Sequence, residues 1–196
     1  MPCTEEIGCM LPALARRAID HHLREGVRIS PDPLPALQAR GASFVTLTRN
    51  GALRGCIGSL RPQRPLGDDI VANAIAAATA DPRFPPLTLA ELGEVSIEVS
   101  VLSAPEFIDF ASEDALLAQL RPGEDGLILF SGCRSATFLP QVWAQLPDPR
   151  DFLAALKEKA GLPAGRPTAN LMAARYTVQK WREDDPSAQD GTTPKC

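Results

Sequence analysis

The dipeptide Asn50-Gly51 separates two β-prone runs, Ser43–Arg49 and Ala52–Gly58. This is the strongest short-range signal for a two-residue hairpin, because the turn needs positive φ at both central residues and Asn-Gly adopts it at little cost. Such a turn fixes the register, setting Arg49 opposite Ala52, Leu47 opposite Arg54 and Val45 opposite Cys56. Arg54 and Cys56 are then expected on one face with Cα atoms ~6.6 Å apart. A guanidinium at that spacing favours the thiolate of a cysteine held in a protected cleft. Gly55 and Gly58 flank Cys56, and glycine inside a strand marks a bulge or the close approach of another backbone or a ligand. A structural reading uses the same residues: Cys56 as a small buried hydrophobe beside Val45, and Arg54 as a surface residue or ion-pair donor.

Around this hairpin the periodicity changes repeatedly. Leu11, Leu14, Ala15, Ala18 and Leu23 recur at helical spacing from Thr4 to Gly26, with Pro12 expected to kink the helix or to open a second one. Ser30 to Pro35 and Ser59 to Pro65 read as loops. Ile70, Ala74, Ile75 and Ala78 give an apolar stripe from Asp68 to Ala80, ended by Asp81-Pro82. Val95, Ile97, Val99 and Val101 alternate with polar residues and make the clearest strand. A short helix at Ser112–Leu120, strands at Leu127–Phe130 and Ala136–Leu139 joined across Gly132, a helix from Asp148-Pro149 to Gly161 and a last strand at Leu171–Lys180 follow. Hairpins and single strands separated by helices imply an α+β class, a mostly antiparallel sheet flanked by helices. Residues 1–183 read as a single domain and 184–196 as a loose tail. The proline-rich stretches Ser30–Pro35, Arg61–Pro65 and Asp81–Pro86 are the expected lobe boundaries.

Composition excludes several functions. The 196 residues carry a net charge of −4 and only 5% aromatic residues, which lacks the basic face and stacking platform that nucleic-acid binding needs. The five cysteines have neither CxxC spacing nor a histidine pair at zinc-finger distance, so no metal site is expected. P-loop, GxGxxG, GxSxG and HExxH patterns are absent. The opening residues hold no basic side chain and no long apolar run follows, so neither a targeting segment nor a membrane span is expected, and the cytoplasm is the default location.

The string Leu53-Arg54-Gly55-Cys56-Ile57-Gly58 resembles the LRGCIG signature of the AMMECR family, whose prokaryotic members are called AmmeMemoRadiSam system protein A. Asp81-Pro82-Arg83-Phe84-Pro85-Pro86-Leu87 with Glu91-Leu92 and Val99–Leu102 resembles a second block of that family. Phe138–Val142 resembles a third, and Lys159-Ala160-Gly161 with Arg175-Tyr176 a C-terminal one, so the likeness runs from about Thr4 to Trp181. It implies an α+β fold with a larger and a smaller lobe and a cleft near the signature hairpin. It also implies a pathway shared with a Memo-like protein and a radical SAM protein, and no cofactor.

Carried over to this chain, the candidate site is Arg54, Gly55, Cys56, Gly58, Asp81 and Arg83. Each has a plainer reading: Asp81-Pro82 as a helix stop, Arg83 as an ion-pair donor. Glu98, on the polar side of its strand, is a candidate general base or an exposed cross-strand charge, and Arg134 in the Gly132 turn a candidate cleft residue or a solvated one. His21 and His22 point apart on the first helix, and Asp125-Gly126 stands where some relatives carry His-Gly, so a Cys-His dyad finds no support. Two functions remain. One is an accessory or substrate-binding module. The other is an enzyme using Cys56 as nucleophile or redox thiol, activated by Arg54, on an anionic small molecule. Proximity of Cys133 to Cys56 would point instead to a regulatory disulfide.

Overall fold

The structure, a computed structural model of the chain, describes residues 4–163 and 171–183. These divide into two compact units, one of residues 4–102 with 179–183 and the other of residues 103–163 with 171–178. The expected tail at 184–196 lies outside the described residues. Each unit is an antiparallel sheet with helices, so the class is α+β. None of the three proline-rich stretches is a boundary: all lie inside the first unit. Their prolines serve local geometry there. Pro35 opens α2 (Pro35–Gln38), Pro65 occupies the N-cap of α3 (Leu66–Thr79), and the Pro85 carbonyl accepts a bond from Arg54.

In the first unit β1 (Arg40–Arg49) is central. It pairs antiparallel with β2 (Ala52–Gly58) on one side and β4 (Val95–Leu102) on the other, β4 is followed by β9 (Val178–Arg182), and the short β3 (Arg64–Pro65) extends the β2 side. Val45, Leu47, Ile97 and Val99 pack against α3 and α1 (Thr4–Glu25) in one apolar cluster. α1 is a single helix through Pro12, so no second helix begins there. The opposite face of the sheet follows from strand alternation. It carries Thr46 and Glu98, cross-strand partners in the ladder, and the Cys56 that faces Thr46.

The hairpin register differs from the expectation. Arg49 does oppose Ala52, but a bulge between Leu47 and Thr48 shifts the ladder, so that Leu47 opposes Gly55, Thr46 opposes Cys56 and Val45 opposes Ile57. Arg54 is the extra residue. The cause is burial: cross-strand partners share a face, and Leu47 and Val45 are fully buried. An unbulged ladder would place Arg54 and Cys56 on that core face, whereas the bulge places Gly55 and Ile57 there and turns Cys56 to the other side. Glycine is required at the new position. A Cβ on Gly55 would lie 2.2 Å from the Ala77 carbonyl oxygen of α3, and one on Gly58 would enter the Phe44 ring. The close approaches implied by the two glycines are thus made by a helix backbone and an aromatic ring.

The second unit orders its strands β5 (Glu106–Ile108), β8 (Met172–Tyr176), β6 (Gly126–Ser131) and β7 (Arg134–Phe138). α5 (Glu113–Leu117) and α6 (Pro149–Lys159) contribute Leu116, Phe152, Leu153 and Leu156 to its core, where Trp143 stacks on Phe152 at 3.8 Å. Asp125 is buried, accepts from the Arg121 side chain and backbone, and its carbonyl accepts from the Trp143 indole. The single last strand expected over Leu171–Lys180 is two strands broken at Thr177, β8 in this sheet and β9 in the first. One alternating run cannot reveal that its halves pair in different sheets.

Replacing Gly55 with alanine forces the Cβ onto backbone, and urea unfolding should show a loss of about 1–3 kcal/mol. Gly93 has helical dihedrals and open space around it, so Gly93→Ala should be neutral or stabilising by about 0.4–1 kcal/mol. Equal effects at the two positions would refute the account of Gly55.

Candidate functional site

β2 is an edge strand, and an edge leaves backbone donors and acceptors without a ladder partner. At Cys56 two side chains fill that role. The Cys56 N–H donates to Asp81 Oδ2 at 2.8 Å, and its carbonyl accepts from Arg83 Nη2 at 3.2 Å. Asp81 follows directly on the end of α3, which brings its carboxylate to the strand. It also accepts from Arg83 Nε at 2.9 Å, Nη2 at 2.7 Å and the Arg83 N–H at 3.1 Å. Asp81 is buried while the Arg83 side chain is half exposed, its guanidinium 5.6 Å from the centre of the Phe84 ring. Hydrogen bonding to Arg83 and to the Cys56 N–H holds the Asp81 carboxyl far below the usual carboxylate range, against the opposing effect of burial. Such a carboxylate is a poor proton acceptor. Asp81 also raises the pKa of Arg83, with smaller contributions from the Cys56 thiol.

The bulge re-aims Arg54, whose guanidinium is taken up by other groups. Its Nη1 donates to the Pro85 carbonyl at 2.9 Å and Nε contacts Glu91 Oε1 at 3.3 Å. Glu91 belongs to α4 (Leu89–Leu92), where it forms a capping box with Thr88, and it also receives Arg49. Backbone and hydroxyl donors of Thr88, with Arg54, lower the Glu91 pKa from its ordinary 4.5 to about 2.

The Cys56 thiol faces Thr46, with Sγ 3.3 Å from the hydroxyl oxygen. Paired across a non-hydrogen-bonded position, the two side chains are at the closest cross-strand distance. Glu98 lies in the same row on β4, two strands from Cys56 and about 10 Å away by strand spacing. It binds Arg182 at 2.8 Å and Lys180 at 3.4 Å, both on β9. Arg134 belongs to the second unit, where it donates to the Gly161 carbonyl at 2.6 Å. His21 lies on α1 with Nε2 3.5 Å from Glu25. Cys56 is half-buried and Cys133 exposed, and they belong to different units.

The structure therefore gathers Cys56, Asp81 and Arg83 through direct bonds, ties Arg54 to the loop at Pro85 and to α4, and uses Gly55 and Gly58 for packing. Thr46 and Glu91 complete the arrangement and were not singled out in the sequence. A signal for Thr46 was present: Ile57 belongs on the same core face as Val45 and Leu47, and the unbulged register cannot place it there. Among the described residues no three histidine, cysteine, aspartate or glutamate side chains converge as a metal-binding group. No helix among them is long and apolar enough to cross a membrane.

The AMMECR1 family profile matches residues 12–181. The chain belongs to the AMMECR1 family. It is 43% identical over 166 residues to a protein of Methanothermobacter thermautotrophicus, covering 83% of this chain and 86% of that one. It is 41% identical over 174 residues to a protein of Thermofilum pendens, covering 80% of each. The crystal structure of the uncharacterized protein PH0010 from Pyrococcus horikoshii superposes with a TM-score of 0.78 at 38% identity, over 93% of this chain and 94% of that one. Within the AMMECR1 match fall the LRGCIG hairpin and the block from Asp81 to Glu91, the two segments that bond to each other around Cys56.

Glu91 is charged at lower pH in the folded protein than in the unfolded chain, so its contribution to stability is complete above about pH 4.5 and is lost as the pH falls towards about 2. Urea unfolding across this range should show Glu91→Gln less stable than wild type at neutral pH, with the gap closing towards the acid end. A gap independent of pH would mean that the charge of Glu91 contributes nothing.

Proposed function

We propose that this protein is a non-catalytic accessory or substrate-binding component of a cytoplasmic AmmeMemoRadiSam pathway, acting with a Memo-like protein and a radical SAM protein. The signature hairpin is its recognition element. What supports this reading is the commitment of the hairpin's charged neighbours: Asp81 and Arg83 bond to each other and to the Cys56 backbone, and Arg54 to Glu91 and Pro85. A nucleophilic thiol works through an adjacent base, whereas Cys56 touches a threonine hydroxyl. Rigid side-chain bonds on a strand edge suit a surface preorganised for binding, because ordering costs are met before the partner arrives.

The alternative, an enzyme with Cys56 as nucleophile or redox thiol, draws on the contribution of the thiol to holding Arg83 protonated. In that version the activating arginine is Arg83 rather than Arg54.

The two readings separate in a paired experiment. The full chain, mixed with the Memo-like and radical SAM proteins of the same genome, should co-elute with one of them on size exclusion. Cys56→Ser should retain the complex, while Asp81→Ala, which frees the hairpin edge, should lose it. Iodoacetamide should label Cys133 at least tenfold faster than Cys56 in the folded protein. Rapid labelling of Cys56 below pH 7 that slows in Arg83→Ala, together with no co-elution, would overturn the accessory role in favour of catalysis.

A further inference from the structure

The first unit contains a second polar constellation, immediately beyond the signature. Ser59, Leu60, Arg61, Gln63, Arg64 and Asp69 line an open pocket of about 400 Å³. Its floor is built around the carboxylate of Asp69, which is 1% exposed. Oδ1 accepts from Ser59 Oγ at 2.7 Å and Arg64 Nε at 2.9 Å. Oδ2 accepts from the Ser43 N–H at 2.9 Å, Ser43 Oγ at 2.8 Å and Asn73 Nδ2 at 2.9 Å. Five donors occupy a group that offers about four lone-pair positions, so Asp69 has no remaining capacity for a cation or a ligand hydroxyl. Its work is to fix Ser59 and Arg64 in place.

The remaining charge on the wall is positive. Among the described residues the Arg61 guanidinium has neither an ion pair nor a side-chain hydrogen bond, and Arg64 uses only Nε on Asp69. Arg40 approaches the same loop, its Nη1 donating to the Gln63 carbonyl at 3.1 Å, and it too has no acidic partner among the described residues. Of the two arginines lining this concave site, Arg61 has no acidic partner among the described residues and Arg64 keeps both terminal nitrogens off Asp69, and guanidinium forks match the geometry of phosphate and carboxylate oxygens. The volume lies within the range of small-molecule sites.

We propose that this pocket binds a small organic anion through a phosphate or carboxylate group held by Arg61 and Arg64, with Gln63 and Ser59 contacting the adjoining polar atoms. This site is distinct from Arg54 and Arg83, which are ion-paired to Glu91 and Asp81; Arg64 is likewise paired with Asp69, but through Nε alone, and Arg61 has no acidic partner among the described residues. The site belongs to the proposed substrate-binding role, yet its occupancy does not depend on any protein partner.

The test is calorimetric titration of the full chain with inorganic phosphate and, separately, with citrate. Saturable one-site binding of either anion, weakened at least tenfold in Arg61→Gln at an unchanged unfolding midpoint, is expected. Tighter binding of phosphate assigns a phosphoryl group and tighter binding of citrate a carboxylate, and both uphold the site. Absence of saturable binding of both anions, unaltered affinity in Arg61→Gln, or an equal loss in Arg150→Gln, an exposed arginine of the second unit, would overturn it. Loss of co-elution with the Memo-like and radical SAM proteins would leave this result untouched, so the two proposals fail separately.

Discussion

A single carboxylate closes the edge of the first sheet. Asp81 takes the free N–H of Cys56 and two nitrogens of the Arg83 guanidinium, and Arg83 in turn covers the Cys56 carbonyl. An unpaired strand edge is a liability because its backbone groups invite another chain. Here the end of α3 supplies the missing partner, and the same contact joins helix, edge strand and the loop leading to α4. With one ion held almost entirely inside, removing its partner would leave an uncompensated charge, which costs more than the pair itself contributes.

That closure determines what the signature residues can do. Arg54 and Arg83 are bonded within the protein, and the Asp81 carboxylate is held in its ionised form. Glu98 is balanced by Lys180 and Arg182 on β9. The cysteine is left beside a threonine, on the face of the sheet turned away from the apolar core. Among the described residues Arg40 and Arg61 have no acidic partner; Arg61 lines the pocket beyond the hairpin and Arg40 reaches its loop at the Gln63 carbonyl.

Much of the fold was legible in the sequence because it rests on local patterns. The Asn50-Gly51 turn, the alternation from Val95 to Val101, the stripe of α3 and the proline at the start of α6 all appear where periodicity and turn chemistry put them. Short elements such as α2, α4 and β5 escaped, since three or four residues carry too little periodicity to be read. The resemblance names Arg54, Cys56, Asp81 and Arg83 but not the bonds that they make. Arg54 and Cys56 were expected to act together, yet one inserted residue sends the arginine to Glu91 and the thiol to Thr46.

The sequence by itself determined the family, the α+β class and the hairpin. Those depend on turn preference, on hydrophobic period and on motif, all of which are properties of neighbours along the chain. Only the tertiary structure decided the bulge, the partner of each arginine and the break at Thr177 that sends one run of residues into two sheets. The physical reason is that a register shift is a small local change whose direction is set by distant atoms. Leu47 and Val45 must share the core with Ile57, and the Ala77 carbonyl leaves room opposite Leu47 for a glycine and nothing larger.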